Sequence, residues 1–122
     1  MQKYYDVIRR IVDLAETCHE GIVHIKNKLA EGYFGETLPL MEDVTQAFLS
    51  IEGALQPLLP MLLSEQLEPL TEQLSESFYS LVSAYKRDNR ERALEVIEGE
   101  FLPSFQIWHC ELDRTLLPII TL

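Results

Sequence analysis

The chain has 122 residues, 47% hydrophobic and 25% charged, a balance that fits one folded domain and excludes a disordered chain. Its net charge of −10 and pI of about 4.6 argue against a basic face for nucleic-acid phosphates. The longest uncharged stretch, Gly53–Ser64, is too short to cross a bilayer and holds Pro57 and Pro60.

The opening residues, MQKYYDVIRR, lack the continuous apolar stretch of a signal peptide, so a cytoplasmic location is expected. The first helix is predicted over 2–31. Tyr4, Ile8, Ile11, Ala15, Cys18, Ile22, Ile25 and Leu29 recur in an unbroken alternation of four and three, opposite Asp6, Asp13, Glu20 and Asn27. Gly32 and Gly35 are expected to end it. The second helix is predicted over 38–56, with Thr37 as a cap and Pro39 in the first turn. Its core stripe reads Leu38, Met41, Val44, Phe48, Ile51, Leu55, and Pro57 and Pro60 should end or kink it. A third helix over 66–87 carries Leu67, Leu70, Leu74, Phe78, Leu81 and Tyr85. Asp88 and Asn89 then make a turn and a cap. The fourth, over 90–116, carries Leu94, Ile97, Phe101, Phe105, Trp108, Leu112 and Leu116, and Pro103 should kink or split it.

Short loops between such helices predict one all-α domain over 1–122: an antiparallel up-down-up-down four-helix bundle. The second half echoes the first. At an offset of 56, Ile11, Cys18, Ile22 and Ile25 fall on Leu67, Leu74, Phe78 and Leu81. This reads either as two copies of one helical hairpin or as two unrelated amphipathic hairpins, since 56 residues is eight heptads.

Charge is unevenly placed. Residues 1–35 are neutral, 36–85 carry −8 and 86–122 carry −2, and no Lys or Arg lies between Lys28 and Lys86. On the predicted helices this sets Glu42, Asp43, Glu52, Glu68, Glu72 and Glu76 on an acidic face. The two ends of the bundle differ as well. One gathers Tyr4, Tyr5, Leu59, Leu62, Leu63, Leu117, Ile119, Ile120 and Leu122; the other gathers Lys26, Lys28, Lys86, Arg87, Arg90 and Arg92. An apolar end with more aliphatic side chains than the core needs is expected to contact a second copy, as a two-fold dimer, or a partner helix.

Chemistry-bearing motifs are sparse. No phosphate-binding glycine loop and no Gly-x-Ser-x-Gly is present. Glu98 and Glu100 point in different directions on a helix. Glu16-Thr-Cys-His19 is half of the paired Glu-x-x-His pattern of a two-metal bundle, and no second copy exists. Cys18-His19 and His109-Cys110 mirror each other on the first and last helices. The predicted register separates them in height by roughly 9 Å, too far for one tetrahedral site. His24 shares a polar stripe with Lys3, Arg10 and Thr17. Cys18 sits on the core stripe, unlike an exposed nucleophilic thiol, and the two cysteines fit either reduced thiols or a single disulfide. The expectation is therefore no enzyme, no catalytic residue, no metal and no cofactor.

Gly21-Ile-Val-His-Ile-Lys-Asn-Lys-Leu-Ala-Glu-Gly-Tyr-Phe-Gly-Glu-Thr-Leu38, and Glu91-Arg-Ala-Leu-Glu-Val-Ile-Glu98 with Trp108 downstream, resemble the second and last helices of bacterial flagellin export chaperones. Those are small acidic helical bundles that hold a partner's helices in hydrophobic grooves. The resemblance implies a binding module. That family's polar segment before the first long helix has no counterpart here, and no functional residue is carried over. The function expected is thus a self-associating protein-interaction module. The alternatives are a metal- or cofactor-binding bundle using His19 and His109, and an acidic regulator of a basic partner surface.

Overall fold

The first helix forms where its apolar stripe predicts it. In the computed structural model, which describes residues 4–121, α1 spans Tyr5–Ala30 and buries Ile8, Ile11, Ala15, Cys18, Ile22, Ile25 and Leu29. Residues 2 and 3 of the predicted helix, and Leu122, lie outside the described residues. At Gly32 the backbone turns left-handed, φ 96°, a conformation glycine adopts without penalty. The Tyr33 N–H then donates to Lys28 O at 2.9 Å and the Gly32 N–H to Leu29 O at 3.1 Å, which closes a Schellman motif.

The second helix, α2, starts earlier than predicted, and the expectations for Gly35, Thr37 and Leu38 are corrected there. It spans Phe34–Leu55, so Gly35 lies inside it. Thr37 is a buried helix residue, and no side chain caps the start. Its hydroxyl donates to Phe34 O at 2.7 Å and lies 2.6 Å from the Tyr85 hydroxyl, while Phe34 stacks on Tyr85. Counting back four from Met41 lands on Thr37, not Leu38. The core stripe is therefore Thr37, Met41, Val44, Phe48, Ile51, Leu55, and Leu38 faces out at 47% exposure. Pro57 and Pro60 convert the end of the helix into a 3-10 segment, Gln56–Met61, that buries Leu58.

The second hairpin repeats the construction of the first. α3 spans Leu67–Lys86 and ends in a second Schellman motif, with Asp88 left-handed at φ 55°. The Asn89 N–H donates to Ala84 O and the Asp88 N–H to Tyr85 O. Gly32 and Asp88 stand at the same offset of 56 as the apolar stripes. Asn89 caps the next helix as expected, its side chain accepting from the Arg92 N–H. On α3, Leu70, predicted for the core stripe, is only partly buried, and Thr71 is buried in its place.

The fourth helix is split as Pro103 predicted, and it runs further. α4 (Arg90–Val96) and α5 (Leu102–Ile120) are joined by a π-helical turn, Ile97–Phe101. Ala93, Ile97, Phe101 and Phe105 are all fully buried, three steps of four in a row. A regular helix of 3.6 residues per turn would rotate such a run off the core, and the wider turn keeps it on. Leu94, predicted for the core, is only half-buried for the same reason.

The helices run up, down, up, down. α1 packs against α2 and, antiparallel, against α5; α3 packs against α4 and α5. The α1–α2 approach is close at Gly21, where an added Cβ would stand 2.8 Å from Val44 Cγ2. Across the middle runs an aromatic cluster: Phe48 against Phe78, with ring centroids 4.5 Å apart, Phe78 edge-on to Phe101 at 4.5 Å, and Phe105 against Trp108 at 5.4 Å. Ile22, Phe48, Phe78 and Trp108 are buried as expected. The α2 and α3 backbones stay farther apart than the other neighbouring pairs.

Candidate functional site

The apolar end divides into a plug and an exposed rim. Leu58 and Leu62 are buried, and Tyr4, Leu59, Ile119 and Ile120 pack partly against the core. Leu63 stands 92% exposed, with Met61 and Leu117 also exposed. A cleft of ≈ 450 Å³ opens among Tyr5, Met61, Leu63, Thr115, Pro118 and Ile119, with Arg114 at its edge. The backbone turns extended at Leu62, so Leu62 points into the core and the next residue, Leu63, points out.

One polar link borders this end. The Ser64 hydroxyl accepts from the Leu67 N–H at 3.1 Å and donates to the Glu111 carboxylate, which also binds Arg114 through two hydrogen bonds of 2.8 and 2.6 Å. The Arg114 guanidinium first, and the Ser64 hydroxyl second, hold the Glu111 carboxyl down at about 2. Glu111 and Arg114 at i, i+3 were legible as a helix pair; the role of Ser64, 47 residues away, was not.

The acidic residues lie on the surface. Glu42, Asp43, Glu68, Glu72 and Glu76 are exposed and Glu52 is half-buried. None of the six takes part in an ion pair among the described residues. They are not all on one patch, since Glu76 lines a cleft with Glu100 of the π-turn and Pro103 of α5. The basic end is partly engaged. Arg90 donates from Nε and Nη2 to Leu29 O at 3.3 and 3.1 Å, tying α4 to the end of α1, and Arg92 pairs with Glu95 and Glu100.

The predicted separation of the two histidine pairs is overturned. His19 and His109 are neighbours, with ring centroids 5.8 Å apart, so the register of the last helix against α1 is not the one that matching helix centres predicts. His109 Nε2 stands 3.5 Å from Glu16 Oε2 on α1 and 3.6 Å from Asp113 Oδ2 on its own helix, α5. Among the described residues no group of three or more His, Cys, Asp or Glu is arranged to hold a metal ion. Cys18 and Cys110 are free thiols. Burial pushes Cys18 up to about 11, where the thiolate is scarce at neutral pH.

The family model described as a domain of unknown function, DUF8042, matches residues 6–111. The chain belongs to that family. No curated protein and no solved structure matches it. The DUF8042 match takes in the two Schellman loops, the α2–α3 face and the His19–His109 contact. The rim residues Leu117 and Ile119 lie beyond it. No helix among the described residues is long and apolar enough to cross a membrane.

Proposed function

We propose that this protein is a non-enzymatic interaction module that associates with a second copy of itself through its apolar end. The observation that carries the reading is Leu63, an aliphatic side chain 92% exposed beside a cleft walled by Tyr5, Pro118 and Ile119. Contiguous exposed apolar surface of this kind is favourable to cover, at about 25 cal/mol per Å². In a two-fold pair each Leu63 would enter the partner's cleft, while the acidic helices α2 and α3 point away from each other. The resemblance of residues 21–38 and 91–98 to flagellin export chaperones supports a binding role of the same general class. The bundle would then act in the cytoplasm as an adaptor or a chaperone-like holder.

Sedimentation equilibrium at several concentrations tests this, on the wild type and on Leu63→Glu. A concentration-dependent dimer that Leu63→Glu converts to a folded monomer is the expected result. A wild type that stays monomeric at high concentration would sink the reading.

A further inference from the structure

The contact between α2 and α3 is built differently from the other neighbouring pairs. On α2, Leu38, Thr45 and Glu52 recur every seven residues; on α3, Glu68, Ser75 and Val82 do the same. Each set forms one stripe along its helix. Four of these six positions, Thr45, Glu52, Glu68 and Ser75, hold small polar or acidic side chains where leucines would otherwise draw the two backbones together. The result is a groove of ≈ 410 Å³, with Met41 at its floor and Leu38, Thr45, Val82 and Tyr85 along its walls. Glu42 lies on its edge and Lys86 closes one end. Away from Lys86 the same two stripes lead on to Glu52 and Glu68. Neither these two nor Glu42 is ion-paired among the described residues.

We propose that this groove receives an amphipathic helix of a partner protein, one whose apolar stripe is flanked by Lys and Arg. Charge complementarity selects this occupant. The segment 36–85 carries −8, and among the groove's lining residues the one cation, Lys86, sits at its end, so an acidic helix, a second copy of this chain presenting the same face, nucleic acid and an anionic lipid surface are disfavoured along the rest of it. An apolar stripe matches the Leu38, Met41, Val82 and Tyr85 lining, in the manner of helix-in-groove recognition. The proposal goes beyond self-association through the Leu63 end, and either can fail without the other.

The probe is a fluorescein-labelled synthetic helix of about 18 residues, roughly 27 Å long, with leucines at three- and four-residue spacing and Lys or Arg beside them. Its controls are an analogue with Glu in place of every base and a scrambled peptide of identical composition. Anisotropy should show saturable binding of the basic amphipathic helix alone, weakening as salt is raised. Leu38→Gln should weaken it about tenfold or more, and so should the pair Glu42→Lys and Glu52→Lys, which leaves every apolar lining residue in place. Leu63→Glu should leave it unchanged. Three results would each overturn the proposal: no binding of the basic helix, equal binding of the scrambled or the acidic peptide, or binding that Leu63→Glu abolishes while the groove variants keep it.

Discussion

Trp108 is fully buried, and its indole N–H finds its partner in the Thr71 hydroxyl at 2.9 Å, which itself donates to Leu67 O at 2.7 Å. Thr71→Val keeps the shape and removes the acceptor, so it should cost about 1–3 kcal/mol in urea titration. Thr71→Ser, which keeps the hydroxyl, is expected to lose less. If Thr71→Val unfolds at the wild-type midpoint, the hydroxyl does not matter to the core. Glu111 makes a second prediction. Its carboxyl is lowered in the folded state, to about 2 against an ordinary 4.5, so its contribution to stability is complete above the ordinary value and fades as pH falls through it towards 2. Glu111→Gln should therefore destabilise the protein near neutral pH and converge with the wild type between about pH 4.5 and 2. Parallel stability curves across that range would show that the Arg114 and Ser64 contacts do not persist in solution.

Among the elements, the close approach of α1 to α2 and the π-turn before α5 test the packing most sharply. Gly21 in the interior of α1 gives up about 1 kcal/mol of helix propensity relative to alanine, yet an added Cβ meets Val44 Cγ2 at 2.8 Å. Valine is short and stiff, so overpacking at about 1–3 kcal/mol should outweigh the propensity gain. Gly21→Ala is expected to lower the melting temperature; a rise would mean that α1 and α2 can separate freely at this point. The π-turn supplies the counterpart. Removing one residue there restores alternating four-and-three spacing to Ala93, Ile97, Phe101, Phe105 and Trp108, but it also places Pro103 in a regular helix. Deleting Gly99 together with Pro103→Ala should thus leave a folded bundle, while deleting Gly99 alone should be worse by about 3 kcal/mol. If the two deletions melt alike, Pro103 is not what the turn accommodates. These same places mark the limit of what sequence could tell. Four helices, their loops and most buried positions follow from the spacing of large apolar residues. Thr37 and Thr71 were passed over for Leu38 and Leu70 because hydropathy outranks phase when one residue must be chosen. The His19–His109 contact escaped because register is set by how side chains interdigitate, which matching helix centres does not show. On the surface, the exposed rim at Leu63 was foreshadowed by an excess of aliphatic residues. The α2–α3 groove was not, since it arises from what two stripes lack.

Taken as one object, the bundle carries its charge where it opposes folding. The eight acids between residues 36 and 85 face no Lys or Arg of their own segment, and self-repulsion of this kind weakens a compact state. Adding NaCl from about 0.01 M to about 0.3 M shortens the screening length severalfold, so the melting temperature should rise. A flat or falling response would mean that the acidic face is neutralised in some other way. The position of the lone tryptophan has a practical consequence for all such measurements. Trp108 on α5 lies against Phe105 of its own helix, within 5.9 Å of Phe48 on α2, and is bonded to Thr71 on α3. Three helices converge on one indole, and no second indole dilutes its emission. Its fluorescence is thus a built-in optical gauge of whether those helices are together: blue-shifted while the ring is dry, red-shifting once water reaches it. A partner helix that prised α2 from α3 would register there without any label being attached.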